Sequence, residues 1–454
     1  IVLRDFPKTR KILIGVAAAG VAMISLLYVF RQTSFVLSIP AVNRAINTSL
    51  TSIKNSPRWI AWEVAIISWK ERPAFGWGPN NFFYAFNKHY QSRSLRFGYG
   101  ETWFDNAHNI IMNTLAVQGA VGLLSYLFIF FAAIVAVALA RRKKILDLHV
   151  AVIGVSFLVA HLTQNVTVFE NPTSYLYFMF WLAMIAGLSV KKEEADVAGS
   201  KNNHKTGKIS TDKVVGSGTI VTTCLVMLFV LFIFEIQPAR ANMKTLDALK
   251  YLSYQPEIGV GIMKIALAFN APHIDDIRSD LSRTASQVLS GDAAKLDKEK
   301  RIELFNLAVE AMQANVLLHP YDIRNYLVLS QLGQIGYTLT NNTSYIQLYG
   351  DNLELALKYS PKRQQIIYNL ANFYLQIGKT DEAIKSIAQT IEDDPQIREG
   401  YWRLAYIYRL TGKMDKAIEL LVLAEKNGVI FQPEEQNIIA QILAPEVTGK
   451  QTIK

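Results

Sequence analysis

The order of apolar and polar positions divides the chain into a first part with long apolar runs and a last part with helical periodicity. A helix that crosses a bilayer core needs about 20 mostly apolar residues. Five stretches meet or nearly meet this length: roughly 12–30, 112–140, 148–168, 174–190 and 217–236. The third carries His161, Gln164 and Asn165 near one end, so we expect it not to be exposed to lipid on all sides.

Clusters of Lys and Arg beside these stretches predict the orientation, because such clusters stay on the cytoplasmic side. They precede the first stretch, follow the second, and lie in the polar stretch 191–216 between the fourth and the fifth. All of them share one side if the N-terminus is cytoplasmic. Five spans then place the loop 31–109 and everything after residue 237 outside. The stretch 191–216 has no hydrophobic period, which predicts a flexible cytoplasmic linker.

After residue 237 the pattern is that of amphipathic helices, and two segments match at a fixed offset. The matched pairs are Leu370 and Leu404, Ala371 and Ala405, Tyr374 and Tyr408, Gly378 and Gly412, Asp381 and Asp415, and Ala383 and Ala417. This offset, the same for every pair, resembles the period of the tetratricopeptide repeat, which is about 34 residues. Pro320, Pro361 and Pro395 mark repeat ends, and the longer first interval predicts about seven additional residues within 338–350. Such an array either binds a peptide or protein or is a stacking scaffold without a ligand.

Composition supports a membrane part and a soluble part, because 51% of the residues are hydrophobic and 19% are charged. We predict an all-α protein, a multi-span transmembrane helical bundle followed by a helical solenoid of tetratricopeptide repeats. The predicted regions are 1–190 in the membrane with its outer loop 31–109, the linker 191–216, a transmembrane helix at 217–236 and an extracytoplasmic repeat domain at 237–454. Since the chain begins at Ile1 without a signal peptide, we expect it to be part of a longer protein.

The formal net charge of +10 predicts an anionic partner: nucleic acid, anionic lipid or a phosphorylated substrate. Nucleic acid is disfavoured because the charges lie beside the apolar stretches and no nucleic-acid-binding motif is present. The single cysteine, Cys224, forms neither an internal disulfide nor a CxxC motif. The histidines lack metal-ligand spacing, so we expect no metal and no cofactor.

The loop 31–109 is basic, with nine Lys or Arg residues against four Asp or Glu residues. An anionic substrate at the outer face would explain this excess. The loop also holds five of the seven tryptophans, Trp59, Trp62, Trp69, Trp77 and Trp103. Tryptophan favours the headgroup level of a bilayer, so we expect the loop to lie on the membrane.

One stretch of this loop combines several polar features. Ser56 and Pro57 predict the start of a helix that runs to about Lys70, with Arg58, Trp62, Ala65 and Trp69 on one face. Gly76 to Asn80 predict a tight turn whose backbone N–H groups approach a ligand. Guanidinium groups match phosphate bidentately. The helix and turn therefore predict a phosphate site formed by Arg58, Arg72 and the glycine turn.

Simpler interpretations stand beside this one. Arg58 or Arg72 alone fits an arginine that snorkels to lipid headgroups. His108 alone fits a hydrogen-bonded structural histidine. Trp62 and Trp69 fit interface anchors.

The order of these motifs resembles the O-antigen ligase / O-antigen polymerase superfamily. The matching residues are Arg58-Trp59, Glu71-Arg72-Pro73, Gly76-Trp77-Gly78, His108-Asn109, Gln118-Gly119 and Gly122-Leu123, and the stretch 161–178 resembles the span that follows in the branch with C-terminal tetratricopeptide repeats. The likeness covers about 50–190. Full members have roughly twice as many spans, with a further arginine in an earlier outer loop, which agrees with a partial chain.

The resemblance implies a membrane glycosyltransferase of the GT-C type in a bacterial plasma membrane. Such enzymes transfer a glycan from undecaprenyl diphosphate to a glycan, lipid or protein acceptor outside the membrane. Carried onto this chain, Arg58 and Arg72 would hold the diphosphate and His108 would lie at the reacting centre. The predicted substrate-binding residues are Gly76, Gly78, Asn80, Asn109 and Gln164. The alternative is a non-catalytic membrane scaffold whose repeats recruit partners for envelope assembly.

Overall fold

The computed structural model describes residues 7–40, 42–43, 54–168, 171–200, 217–269, 271–291 and 296–444. Across these ranges all regular structure is helical, which confirms the predicted all-α class. The chain forms two compact units: Ile1–Phe86 with Tyr99–Thr206, and Asn87–Gly98 with Gly207–Lys454. A short piece of the predicted outer loop is therefore part of the second unit.

The first unit contains the apolar helices that precede the repeats. Its helices are α1 (Pro7–Val29), α2 (Ser34–Ser38), α3 (Pro57–Glu71), α4 (Phe82–Lys88), α5 (Ile110–Arg142), α6 (Leu148–Thr167) and α7 (Pro172–Ser200), with a 3-10 turn at Tyr99–Thr102. The last two residues of α4 belong to the second unit. Helix α5 packs against α3, α6 and α7.

Three described helical stretches are long and apolar enough to cross a bilayer: Ile110–Arg142, Leu148–Thr167 and Val221–Tyr254. They coincide with the second, third and fifth predicted spans. The first predicted span lies in α1, whose described apolar part, Ile14–Val29, is shorter. The fourth lies in α7, which is not among the three.

The predicted linker 191–216 differs from the structure in its first part. Helix α7 continues to Ser200, so residues 191–200 are helical, and 201–216 lie outside the described residues. The sequence KKEEADVA explains the continuation, because Lys, Glu and Ala are strong helix formers and no Gly or Pro interrupts them. Polarity alone therefore did not predict the end of this helix.

The third predicted span has a protein-facing side, as expected from its polar residues. The ring of His161 lies parallel to that of Phe178 with centroids 4.7 Å apart, and its Nε2 is 3.1 Å from Nδ2 of Asn165. Both polar side chains are buried. Gln164, one position earlier than Asn165, is exposed.

The second unit is a succession of paired helices that continues from the last apolar stretch. Its helices are α8 (Ser217–Leu231), a π turn (Phe232–Ile236), α9 (Gln237–Tyr254), α10 (Pro256–Leu267), α11 (Ile274–Ser290), α12 (Lys298–Leu318), α13 (Ile323–Thr340), α14 (Ser344–Tyr359), α15 (Gln364–Gln376), α16 (Thr380–Asp393), α17 (Arg398–Leu410), α18 (Met414–Lys426) and α19 (Pro433–Leu443), with a 3-10 segment at Ser92–Phe97. The pairs α9–α10, α13–α14, α15–α16 and α17–α18 each pack together.

The predicted repeat period is confirmed in the last two helix pairs. Helix α17 begins one full period after α15, and α18 begins one full period after α16. Ala371 and Ala405 are fully buried between neighbouring helices. Gly378 and Gly412 occupy the left-handed region, with φ of 77° and 69°, where each repeat turns from its first helix to its second.

The additional residues of the preceding repeat lengthen helices rather than a loop. Helix α13 has 18 residues where α15 has 13. Helix α14 has 16 where α16 has 14. The extension lies at the end of α13 and the start of α14, which overlaps the stretch 338–350 predicted from the sequence.

Candidate functional site

Helix α3 places Arg58 and Trp62 near its start, in the first unit. It begins as predicted, with Ser56 as N-cap accepting from the backbone N–H of Trp59 at 3.3 Å and with Pro57 in the first turn. One side of α3 packs inward, and Ala61 and Val64 are fully buried. Arg58 remains exposed, and its Nη1 donates to the carbonyl oxygen of Thr167 at 3.2 Å.

The turn after α3 docks against a kink in α5. Gly119 lies inside α5 with φ of 67°, outside the helical region. The N–H groups of Trp77 and Gly78 donate to the carbonyls of Ala116 and Val117 at 3.0 and 2.8 Å. Gly76 has no room for a side chain, because a Cβ there would lie 2.6 Å from the carbonyl oxygen of Ala116.

This docking changes the interpretation of the glycine turn. The N–H of Gly76 donates to the carbonyl of Arg72, and that of Gly78 donates within the chain as well. Both amides, which we predicted to approach a ligand, are thus already hydrogen-bonded. The glycines are explained by the close approach of the turn to α5, and their predicted contact with substrate remains a prediction.

His108 is held in an unusual backbone conformation at the entrance to α5. Its φ is 49°, in the left-handed region that non-glycine residues adopt at an energetic cost. Its N–H donates to Oδ1 of Asn106 at 2.8 Å, and the N–H of Ala107 donates to Oδ1 of Asn113 at 3.2 Å. Nε1 of Trp62 donates to the carbonyl of Ala107 at 2.9 Å. Three side chains therefore support the strained turn.

The supporting residues were not identified from the sequence. Trp62 was expected to anchor the loop in the interface, but it is half-buried and bonded to the turn that carries His108. Asn106 and Asn113 have no role predicted from the sequence. The spacing of asparagines in NAHNIIMN was the available signal, since Asn side chains bond to nearby backbone groups and favour turns and caps.

The surroundings of His108 disfavour the protonated imidazole. Burial lowers the pKa of His108 below its usual value, and the charge of Arg58 lowers it further. Glu101 and Asp105 act in the opposite direction. The Phe104 ring meets the imidazole edge-on, with centroids 5.6 Å apart. The half-buried His108 is therefore suited to accept a proton near neutral pH.

Arg72 lies away from this pair, which corrects the expected convergence of three residues. It is the C-cap of the 15-residue α3. At about 1.5 Å per residue, about 20 Å of helix separates it from Arg58. Its guanidinium lies over the ring of Trp77, 4.3 Å from the ring centroid. The structure thus brings Arg58 and His108 together and leaves Arg72 at the other end of α3.

The Arg72 end of α3 lies where α5 begins to expose apolar surface. Val121 is the first large apolar residue of α5 that is exposed, followed by others such as Leu124 and Phe128. Phe75, at the tip of the docked turn, is 74% exposed. Exposed apolar surface of this kind fits contact with lipid. Arg72 therefore lies close to exposed apolar surface of α5.

The remaining predicted contact residues have separate positions. Asn109 caps α5, its Oδ1 accepting from the N–H groups of Ile111 and Met112 at 3.0 and 3.2 Å. Asn80 is exposed in a left-handed conformation, with φ of 60°. Gln164 is exposed near the end of α6. Over the ranges that the structure describes, no group of three or more His, Cys, Asp or Glu residues could hold a metal ion.

Protein-family models match two parts of the chain. The O-antigen ligase family model matches residues 1–127. Tetratricopeptide repeat models match residues 351–405 and 399–426. The combination recognised from the sequence is confirmed. The ligase match includes Arg58, Arg72 and His108, whereas Gln164 lies beyond it.

Two solved structures match the chain at low sequence identity. A crystal structure of MamA is 20% identical, with 37% of this chain and 86% of that chain covered and a TM-score of 0.28. TTC0263, a thermophilic TPR protein in Thermus thermophilus, is 19% identical, with coverage of 45% and 98% and a TM-score of 0.31. No curated protein matches the chain significantly.

These findings support a membrane protein with a role in glycan transfer. The O-antigen ligase match supports glycan transfer at a membrane, and the apolar helices agree with that location. The tetratricopeptide repeats support an additional role in protein interaction.

Proposed function

We propose that this protein transfers a glycan from undecaprenyl diphosphate to an acceptor in cell-surface polysaccharide synthesis, with His108 and Arg58 at the reacting centre. The ligase family match supports the reaction class. The acceptor is a glycan, lipid or protein that presents a nucleophilic hydroxyl or amide. The membrane is the bacterial plasma membrane, and the reaction takes place on its outer side.

The chemistry fits the two residues. His108 accepts the proton from the acceptor as its nucleophilic atom attacks the anomeric carbon of the donor sugar. The bond between that carbon and the diphosphate oxygen breaks, and the diphosphate leaves with the electron pair. Arg58 stabilises the negative charge that grows on the leaving group. A neutral imidazole and a permanently charged guanidinium supply these two functions near neutral pH.

The observation that carries this proposal is the backbone conformation of His108 beside Arg58. A left-handed histidine supported by Asn106, Asn113 and Trp62 is strained locally and stabilised by its surroundings. Strain of this kind concentrates at sites where a side chain must be aimed.

Arg72 lies elsewhere on the molecule and has a different proposed role. It lies beside Trp77 where α5 begins to expose apolar surface, and phosphates of lipids occupy this level of a bilayer. We assign Arg72 to the lipid end of the donor, where it would contribute to binding rather than to the bond-breaking step. Gly76 and Gly78 hold the turn that follows it against α5.

The placement of the repeats outside the membrane follows from the same proposal. Asn87–Gly98 belongs to the loop between α1 and α5, and it forms one compact unit with Gly207–Lys454. A loop segment and a domain can form one unit only on the same side of a membrane. If the loop is on the outer side with the glycan, the repeats are there too. Protease added to intact spheroplasts should then cleave within 237–454.

The test uses two substitutions that spare the fold. His108→Asn removes the imidazole and keeps a residue that tolerates the left-handed region. Arg58→Gln removes the charge and keeps much of the side chain. Expressed in cells that lack the protein, His108→Asn should reduce glycan display by roughly 10²–10⁴-fold and Arg58→Gln by roughly 10²–10³-fold.

Matched controls separate catalysis from general damage. Lys70→Gln changes an exposed cation on the same helix, and His149→Asn changes an exposed histidine at the start of α6. Both should leave glycan display unchanged. Normal display with His108→Asn and Arg58→Gln, at equal amounts of protein in the membrane, would rule out catalysis and favour the membrane scaffold.

A further inference from the structure

A segment of the outer loop, Asn87–Gly98, packs into the repeat unit through specific polar contacts. The side chain of Tyr90 is buried, and its hydroxyl donates to Oε1 of Gln364 at 3.0 Å. Nε2 of the same glutamine donates to the carbonyl oxygen of Ser92 at 2.8 Å. Gln364 is the first residue of α15, so the contact lies at the start of a repeat.

The neighbouring Arg363 is buried by the segment. Its guanidinium lies over the Tyr90 ring, 4.3 Å from the centroid, and its Nη2 donates to Oδ1 of Asn87 at 2.7 Å. Its Nε donates to Oγ of Ser360 at 3.0 Å. Burial lowers the pKa of Arg363 to about 10, which leaves it charged at neutral pH. A buried cation requires such partners, and the segment supplies two of them.

The other end of the segment is fixed by an apolar residue and an ion pair. Leu95 is 3% exposed and is part of the repeat core around Tyr368 and Ile387. Nε and Nη2 of Arg96 donate to the two carboxylate oxygens of Asp394 at 2.7 and 2.6 Å. The Asp394 side chain is 3% exposed, so this bidentate pair is largely removed from water on its acidic side.

Two repeat residues at this contact, Ser360 and Asp394, occupy equivalent positions in successive repeats. Ser360 precedes Pro361, and Asp394 precedes Pro395 at the same place in the next repeat. We call Ser360, Arg363, Gln364 and Asp394 the repeat cradle. All four side chains are buried. The segment bonds directly to Arg363, Gln364 and Asp394, and Ser360 accepts from Arg363.

We propose that Asn87–Gly98 is the built-in ligand of the repeat cradle, and that through it the repeats position the turn that carries His108. Only a short stretch of chain joins Gly98 to His108, so holding the segment restricts where that turn can lie. The positioning half of the proposal rests on the proposed function. The binding half does not.

Crosslinking in the membrane tests the binding half. Arg96→Cys and Asp394→Cys are combined with Cys224→Ser, and a protease site is placed in 201–216, so that one cut separates the loop from the repeats. After treatment with a short bis-maleimide and cleavage, the two fragments should stay joined. The control pair, Arg96→Cys with Asp280→Cys on α11, should separate. If the fragments separate for both cysteine pairs, or stay joined equally for both, Asn87–Gly98 is not the built-in ligand of the repeat cradle.

The same paired cysteines test the positioning half. Before crosslinking, loss of the ion pair should lower kcat for glycan transfer by roughly tenfold to a hundredfold and leave the KM for the lipid-linked donor unchanged. Crosslinking should restore kcat, since a covalent tie replaces the ion pair. If kcat stays low after crosslinking, or if the uncrosslinked variant has full kcat, the repeats do not position the turn that carries His108.

The two proposals fail in different ways. If His108→Asn retains full transfer, the catalytic assignment is wrong while the crosslinking result still decides whether the segment occupies the cradle. If the fragments separate, the built-in ligand is wrong whatever the activity of His108→Asn. Binding of a foreign peptide to the cradle, with Asn87–Gly98 displaced, would also contradict it.

Discussion

Gly76 lies against the backbone of α5 beside Gly119, and Gly119 lies against the backbone of the turn beside Gly76. A Cβ on Gly76 would lie 2.5 Å from the carbonyl carbon of Val117, and a Cβ on Gly119 would overlap the carbonyl oxygen of Ala74. Both residues also have a left-handed φ. The turn after α3 and the kink in α5 therefore form one joint that requires glycine on both sides.

We predict that Gly119→Ala destabilises the first unit by more than about 3 kcal/mol, because backbone strain and a clash with backbone atoms add together. The measurement is the fraction of monodisperse protein in detergent after heating, followed by size-exclusion chromatography. Gly100→Ala is the matched control, since a Cβ there meets nothing within 4 Å. Equal heat resistance of the two variants would show that the contact between the turn and α5 does not require glycine at residue 119.

Much of the first unit could be predicted from its sequence. Ser56 and Pro57 predicted where α3 begins, and the order of motifs predicted the resemblance to O-antigen ligases that the family model supports. The prediction that was wrong is the short distance between Arg58 and Arg72. A predicted helix from Pro57 to about Lys70 already separates Arg58 from Arg72, so their convergence could have been excluded by the helical rise alone.

The pH dependence of transfer should follow the protonation of His108. Because burial and Arg58 lower the pKa of His108 below its usual value, the imidazole is neutral at neutral pH and the rate should fall only on the acidic side. Arg58→Gln removes a cause of the lowering, so its acidic limb should move to higher pH. Glu101→Gln removes a cause that raises the pKa, so its limb should move to lower pH.

Rate profiles of membranes with an added acceptor provide the measurement. Arg58→Gln and Glu101→Gln should shift the limb in opposite directions relative to the unchanged protein. A limb that moves the same way in both variants, or in neither, would show that His108 is not the titrating group.

Arg72 should affect a different kinetic constant from Arg58. Since Arg72 lies close to exposed apolar surface of α5, Arg72→Gln should raise the KM for the lipid-linked donor with little change in kcat. Arg58→Gln should mainly lower kcat. Steady-state kinetics with purified lipid-linked donor in nanodiscs separates these outcomes, and a loss of kcat in both variants would return Arg72 to the reacting centre.

Glycines in the repeat unit should differ according to their surroundings. Gly378 is left-handed with open space around it, so Gly378→Ala should cost about 1 kcal/mol, through strain alone. Gly350 lies against the Phe373 ring, where a methyl group would overlap the aromatic carbons. Gly350→Ala should therefore destabilise the repeats more than Gly378→Ala does.

Limited proteolysis at rising temperature measures this difference on the full chain. Gly378→Asn provides an internal check, because Asn tolerates the left-handed region and should be less harmful than Ala. Greater damage from Gly378→Ala than from Gly350→Ala would contradict the packing.

The repeats were predictable where the chain repeats itself, and unpredictable where contacts are long-range. Matching residues such as Ala371 and Ala405 revealed the helix pairs at once. Nothing in the local sequence of Asn87–Gly98 indicates that Arg96 pairs with Asp394, which lies far along the chain in another region. The role of Trp62 was missed for the same reason, since its partner Ala107 lies on another part of the loop.

The helix that runs from α8 through the π turn into α9 has a mechanical consequence. Val221–Tyr254 continues without a break, and it joins the apolar stretch directly to the first helix of the repeats. Each residue inserted into an α-helix turns everything beyond it by about 100°. A continuous helix transmits this rotation. The orientation of the whole solenoid about the helix axis therefore depends on the number of residues in Phe232–Ile236. An insertion of one residue would rotate the repeat domain about the helix axis, whereas an insertion of seven residues would nearly restore its original orientation.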